Sequence, residues 1–525
     1  MFRNHEVLEA VCSMGPARFL KIPAIAAAFV LPLLPLAACG SDSGAAGSDG
    51  PQILRYAYAF TPVAALSPYS DDAVTSYGVG ATQTLAQLDA SGRPEASLAT
   101  GWEQTDPQTW ELTLRPDVTF QDGTAMDAQA VADSLTHATE ADPAPRSLSG
   151  TDLTVTADGD SVVRIVTRTA DPVLIQRLTS PELAILSEKA YADPASPSVV
   201  GTGTGPYTIT QLNGTTSADL TANKSYWGGT PALAGIELSF VADGDQRASA
   251  LRAGQTDVAQ AVPADQLEQI GTDHVLAVPL PRTVSLHLTQ SSTVFKDPAQ
   301  REAAREAFDS PDGPDGLDGP DGLDLAGTIY AGAADPAKGL FSSVSTWADE
   351  RPTPDYPKAA TPQRQKITLA TFSDRPELAE IATVVADRWR KAGFDVKTVV
   401  QEYNQMESDL LAGTYDAVIM SRSYGQDTAD PISYLQADFG CDGGYNISRF
   451  CDRSLDADLA KAAPQTDVNA RNQAAVAAEH VVLSAVAVIP LVHDRTQFGL
   501  ADGVSGLAGD PWERAVITAK TTIRH

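Results

Sequence analysis

Basic charge is what this sequence has least of. Thirty-seven lysines and arginines stand against 67 aspartates and glutamates, a formal net charge of −30 at pH 7. No basic patch is left over to hold a phosphate backbone or an anionic lipid surface, which argues against a nucleic-acid binder and against electrostatic attachment to a membrane. Long apolar runs are missing too. A bilayer-spanning helix takes about 20 apolar residues, and the run Ile22 to Ala38 is shorter and interrupted by Pro23, Pro32 and Pro35. Signatures of catalysis are equally absent: there is no Gly-x-Ser-x-Gly, no His-Glu-x-x-His, no phosphate-binding glycine loop and no free cysteine suited to nucleophilic work. Serine, aspartate and histidine all occur, so a triad assembled in space stays open, yet no spacing points to one. Cysteine is scarce, with four in 525 residues, and Cys12 and Cys39 precede the body of the chain.

The first forty residues set the compartment. Arg18 and Lys21 form a short basic stretch, the uncharged run Ile22 to Ala38 follows, and Leu36-Ala37-Ala38-Cys39-Gly40 closes it. A basic flank, a short apolar region and small residues before a cut site make residues 1–38 a secretory signal peptide. The closing pentad resembles the bacterial lipobox, which implies that the Cys39 thiol is diacylated and becomes the mature N-terminus. Glu6 and Glu9 are unusual for a basic leader, so translation starting at Met14 stays open beside Met1. Residues 39–52 are rich in Gly, Ser and Asp and read as a flexible tether. Removing the leader makes the chain about one unit more negative, so attachment to the extracytoplasmic face of the cell membrane would rest on lipid alone.

About 475 residues remain, more than one core supports, so at least two lobes are expected. Cys441 and Cys451 are the only cysteines in this body. In an oxidising exterior, two cysteines ten residues apart read as a disulfide closing a short loop; free thiols and half of a metal site are the alternatives, with no CxxC or HxH nearby. Strand and helix patterns alternate throughout, an α/β arrangement. Trp110 to Arg115 alternates like a strand, and Asp127 to His137 has helical spacing after an acidic start. The clearest unit is strand 367–372, helix 376–392 with Leu378, Ile381, Ala382, Val385 and Trp389 on one face, a capping Gly393, strand 394–400, a helix through Leu410 and strand 415–420. Such βαβαβ order predicts a parallel sheet, with ligand bound beyond the carboxyl ends of its strands, just after Met420. Aspartates recur every third residue from Asp309 to Asp324, a period that does not supply calcium-loop ligands, so residues 309–324 read as an acidic low-complexity insertion.

Several ordered segments point to a family. Leu98-Ala99-Thr100-Gly101-Trp102, Trp110-Glu111-Leu112-Thr113-Leu114-Arg115 and Val118-Thr119-Phe120-Gln121-Asp122-Gly123 come first. Gly203-Thr204-Gly205-Pro206-Tyr207, then Asn223 to Pro231, then Ala250-Leu251-Arg252-Ala253-Gly254 with Asp257, follow in order. Together they resemble the family 5 solute-binding proteins, the peptide, dipeptide and nickel group of extracytoplasmic binding proteins that feed ABC importers. The resemblance implies a two-lobed α/β clamshell of the periplasmic-binding-protein kind (type II, cluster C) with a discontinuous first lobe. We place lobe 1 at residues 53–285 plus 493–525, with a subdomain at about 72–198, and lobe 2 at 286–492. The hinge strands are expected near Val284 to Leu288 and near Pro490 to His493. It further implies a monomer that binds a small ligand, hands it to an ABC permease, needs no cofactor and is not an enzyme; presenting ligand to a sensor or chaperoning unfolded chains stays open beside import, and a secreted hydrolase is the alternative of another class.

For the ligand, the resemblance leaves two branches. In dipeptide-binding members an aromatic precedes an Asp-x-x-Asp-Pro run whose first aspartate meets the peptide's α-ammonium. By position Asp427 would be that anchor and Tyr424 a wall, with Gln426 where a small residue usually sits; Asp427 as a turn residue bonding its own backbone is the alternative, and Asp430 before Pro431 reads as structural. Cys441 and Cys451 with Tyr445 and Asn446 are similar to a disulfide loop of peptide binders. The nickel-binding members share the Gly-Thr-Gly-Pro-aromatic segment and Ile489-Pro490-Leu491, which makes His287 and His493 the weak metal candidates. Trp102, Trp110, Tyr226 and Trp227 read as core aromatics, whereas Tyr58 or Phe60, at the end of the first strand, is expected to face the cleft.

Overall fold

A computed structural model describes residues 52–142, 144–148, 151–309, 318–319, 322–373, 375–425 and 428–524. The leader, Cys39, most of the tether and much of the aspartate-rich insertion lie outside the described residues, as do Gln426 and Asp427. Residues Gly50–His525 form one compact unit.

Its N-terminal strand, Ile53–Tyr58, runs parallel to Gly235–Phe240 on one side and to Val258–Ala259 on the other. Leu54, Tyr56 and Tyr58 are buried with Ile236, Leu238 and Tyr207 in one core. A separate four-stranded antiparallel sheet, Ala99–Asp106, Thr109–Leu114, Val162–Thr167 and Leu153–Asp158, carries helix Ala128–Glu140. Asp127 caps that helix by accepting from the Ala130 amide at 2.8 Å, which explains why an acidic residue marks its start.

The segments shared with the family are largely structural glue. The Gln121 amide donates to the carbonyls of Ala81, Gly205 and Tyr207 at 3.0, 3.3 and 2.9 Å. Asn223 Nδ2 reaches the Gly205 carbonyl at 2.9 Å. Asp257 holds the Arg55 side chain and backbone amide. Trp110 is buried, and Trp227 donates to Gln83 with Arg115 lying 4.0 Å over its ring.

The βαβαβ unit forms as its periodicity predicts. Strand Lys366–Phe372 lies between Asp395–Gln401 and Ala417–Ser423, parallel to both, and helix Pro376–Ala392 buries all five residues of the expected face. Gly393 closes the helix at φ 114°, where a side chain would be strained. The later strands start one and two residues further on than their apolar patterns suggest. The Phe394 amide still bonds the Trp389 carbonyl of the helix end, and Tyr415 is buried ahead of its strand.

Two long antiparallel strands, Val275–Leu288 and Val488–Leu500, join the halves. Residues 275–279 pair with 495–499 and residues 283–287 with 488–493, with the register broken between Pro279 and Thr283. On one side of the break Val278 and Phe498 belong to the core of Tyr56 and Ile236. Beyond it Val284, Leu286, Leu288, Ile489, Leu491 and Val492 belong to the core of Leu369 and Trp389. The crossing strands therefore change cores where their ladder is irregular. The register shifts again between Val284 and Ser285, inside the stretch Val284 to Leu288 expected for the hinge and opposite Pro490 to His493.

Candidate functional site

The strand Ala417–Ser423 ends at Tyr424, where the strand-end rule places a ligand. A small, partly open cavity lies there between Trp347, Tyr424, Trp512, Arg93, Asp430 and Arg471. Tyr424 is a wall rather than a free hydroxyl. Its ring meets Phe341 and Trp512 edge to face at 5.3 and 5.7 Å, and its hydroxyl bonds that of Ser345. Burial lifts its phenol well above the ordinary range, so it stays protonated.

Asp430 carries no charge to spare for a ligand. Both oxygens meet Arg471, at 2.9 and 2.5 Å, and the same carboxylate caps helix Pro431–Phe439 by accepting from the Ser433 amide at 2.8 Å. The pair is nearly fully buried, and Arg471 also donates to the carbonyls of Ala462, Ala463 and Gln465. Opposite, the turn Asp89 to Arg93 is fixed by Asp89 Oδ1, which accepts from the Ser91 and Arg93 amides at 2.8 and 2.9 Å. Its Gly92, at φ 82°, lies against the Trp512 ring, where a Cβ would approach within 2.5 Å.

Tyr58 is buried, 5.7 and 5.8 Å from the rings of Tyr56 and Phe60 and 6.4 Å from Phe240; burial pushes its phenol up to about 12. Phe60 is 63% exposed. Neither is among the residues lining the cavity.

The two histidines do not meet. His493 is paired in register with Thr283, whose hydroxyl its Nδ1 contacts at 2.9 Å, while His287 pairs with Val488 four residues along. At roughly 3.4 Å per strand residue, that separation exceeds any shared coordination sphere. His287 stacks over Phe439 with its Nδ1 buried and without a hydrogen-bond partner. Burial pushes both imidazoles down to about 4, neutral at physiological pH. Among the described residues no group of three or more His, Cys, Asp or Glu side chains gathers to hold a metal. Cys441 and Cys451 are joined as a disulfide with S–S 2.06 Å, so neither the free-thiol nor the metal alternative holds in this structure.

Trp347, Trp512, Arg93 and Arg471 escaped sequence reasoning because they come from four distant segments. One local signal was available. Trp512 stands in Gly509-Asp510-Pro511-Trp512, a polar turn where no helical or strand period assigns a large aromatic to a core.

Two α/β halves, two crossing strands and a cavity at a parallel strand's end define a two-lobed clamshell of the periplasmic-binding-protein kind. Residues 93–446 match the model of the bacterial extracellular solute-binding proteins, family 5, and the chain belongs to that family. Among relatives, the nickel-binding protein NikA of Staphylococcus aureus is 27% identical over 64% of this chain and 67% of its own. The probable D,D-dipeptide-binding periplasmic protein DdpA of Escherichia coli is 22% identical over 81% and 84%. The crystal structure of Staphylococcus aureus NikA in complex with Ni(L-His)2 superposes with a TM-score of 0.68 at 22% identity, covering 90% of this chain and all of that one, and supports the fold.

Proposed function

We propose that this chain is a lipid-anchored binding protein that captures a short peptide between its lobes and delivers it to an ABC permease. The observation that carries the reading is the cavity at the end of strand Ala417–Ser423. Three aromatic walls, Trp347, Tyr424 and Trp512, suit an apolar side chain, and the amides of Gln176 and Asn472 stand on the same lining for a peptide backbone. The relative DdpA, by its name, takes D,D-dipeptides. Asp427 is the proposed anchor for the ammonium end, with Gln426 beside it. The lobes, proposed from the sequence at residues 53–285 plus 493–525 and 286–492, close about the point where the crossing strands change cores, Pro279 to Thr283. Cys39 supplies the lipid, and the protein works as a monomer without catalysis.

A second reading is capture of a metal chelate. It is favoured by the NikA relative, whose structure holds nickel already dressed by histidine ligands. Such a cargo brings its own donors, so scattered His287 and His493 do not weigh against it. Native mass spectrometry of residues 50–525, purified without refolding, separates the two. Co-purifying masses of short peptides support the first reading, a nickel-containing mass supports the second, and an empty spectrum with no gain on adding dipeptides or Ni(L-His)2 overturns both.

A further inference from the structure

Three consecutive residues near the C-terminus each grip a different part of the molecule. Trp512 forms a cavity wall, its indole NH donating to the Asp89 carbonyl at 2.9 Å and its ring closing over Gly425, where a Cβ would come within 2.9 Å. Glu513 contacts Arg282 at 3.2 Å. Arg282 lies inside the break between Pro279 and Thr283, where the crossing strands pass from one core to the other. Arg514 is 4% exposed and donates on one side to the Thr179 carbonyl at 2.7 Å and on the other to the Gly425 carbonyl at 3.4 Å.

Two of these features are costly. Glu513 holds φ 59°, a left-handed conformation that a residue bearing a Cβ adopts at the expense of about 1 kcal/mol. The Arg514 guanidinium is buried, which lowers its pKa, and the nearby charges of Asp510 and Glu182 oppose this only in part. Carbonyls offset only part of the desolvation of such a charge. Asp510 enforces the arrangement: Oδ1 accepts from the Trp512 amide at 2.9 Å, and Oδ2 from the amides of Arg514 and Ala515 at 3.1 and 2.8 Å. A plain surface turn would need neither the strain nor the buried cation.

We propose that Trp512, Glu513 and Arg514 are positioning residues that latch the two sides of the cavity together, with the Glu513 to Arg282 contact as the member that sets the hinge. Trp512 lets the wall of the cavity sense its contents. Arg514 ties residue 179 of the N-terminal half to residue 425 beyond the parallel sheet. Glu513 connects both to the bend of the crossing strands. The inference rests on the reading of the chain as a hinged binding protein, but its test needs no ligand.

Small-angle scattering on residues 50–525, confirmed empty by native mass spectrometry, reads the hinge directly. Glu513→Gln and Arg282→Gln are each expected to raise the radius of gyration by about 1 Å over the roughly 23 Å of a compact chain of this length, and the exchanged pair Arg282→Glu with Glu513→Arg to bring it back. Should one single variant fail to fold, the other tests the same contact from the opposite side. An unchanged radius in a folded single variant, or a rise that the exchange does not reverse, overturns the latch. The binding reading falls on the empty spectrum described above, so each idea fails by its own measurement.

Discussion

At the scale of the residue, Asp430 shows how a side chain next to a predicted site can be fully engaged inside the protein. Its carboxylate neutralises Arg471 and caps a helix, so Asp430→Asn would leave a guanidinium buried beside a neutral amide. Breaking a buried pair from one side costs about 3 kcal/mol or more, and urea denaturation should show a loss of that size. His287 and His493 make a different prediction. Both have folded pKa values near 4 against 6.5 for an ordinary imidazole, because burial disfavours the cation. A depressed folded pKa favours folding above the unfolded value, and that contribution is lost as pH falls from about 6.5 towards 4. Over that window each histidine contributes a slope of about 1.4 kcal/mol per pH unit. Chemical denaturation of His287→Leu across pH 7 to 4 should give a shallower decline than the wild type; an identical slope would refute the assignment.

At the scale of the element, the Gly-Thr-Gly-Pro-Tyr segment is explained by packing rather than by ligand contact. A Cβ on Gly203 would sit 2.3 Å from the Ala81 carbonyl oxygen, and one on Gly205 2.2 Å from that of Gly80. The nearest atoms are all backbone of residues 80–82, so nothing flexible can give way. Gly205→Ala should destabilise by about 2 kcal/mol or more, within the range of overpacked sites, visible as a lowered melting temperature. Gly101→Ala, where nothing lies within 4 Å, is the matched control and should shift it little. The helix Pro376–Ala392 was legible for the opposite reason. Its apolar period, first-turn Pro376 and closing Gly393 are all local, so the strand-helix order around it followed from sequence alone.

At the scale of the whole molecule, the attachment proposed through Cys39 has a direct test. The protein carries no excess of basic charge to hold it to an anionic surface, so Cys39→Ser should move it from the membrane fraction to the soluble extracytoplasmic fraction after cell fractionation. Retention in the membrane would mean that something other than lipid holds it.

What the sequence by itself determined was the α/β class, the family and the parallel βαβαβ unit, because these depend on periodicity and on ordered local segments. It also pointed to Tyr424 at the end of strand Ala417–Ser423. Asp427 and Gln426, the proposed anchor and its neighbour, lie outside the described residues. Only the tertiary structure decided how the cavity is walled. Trp512, Trp347, Arg93 and Arg471 converge there from segments separated by up to about four hundred residues, and no local pattern encodes such convergence. It likewise decided where the crossing strands change cores. That point depends on the pairing register of Pro279 and Thr283 against a strand some two hundred residues away, and register is a property of two strands together.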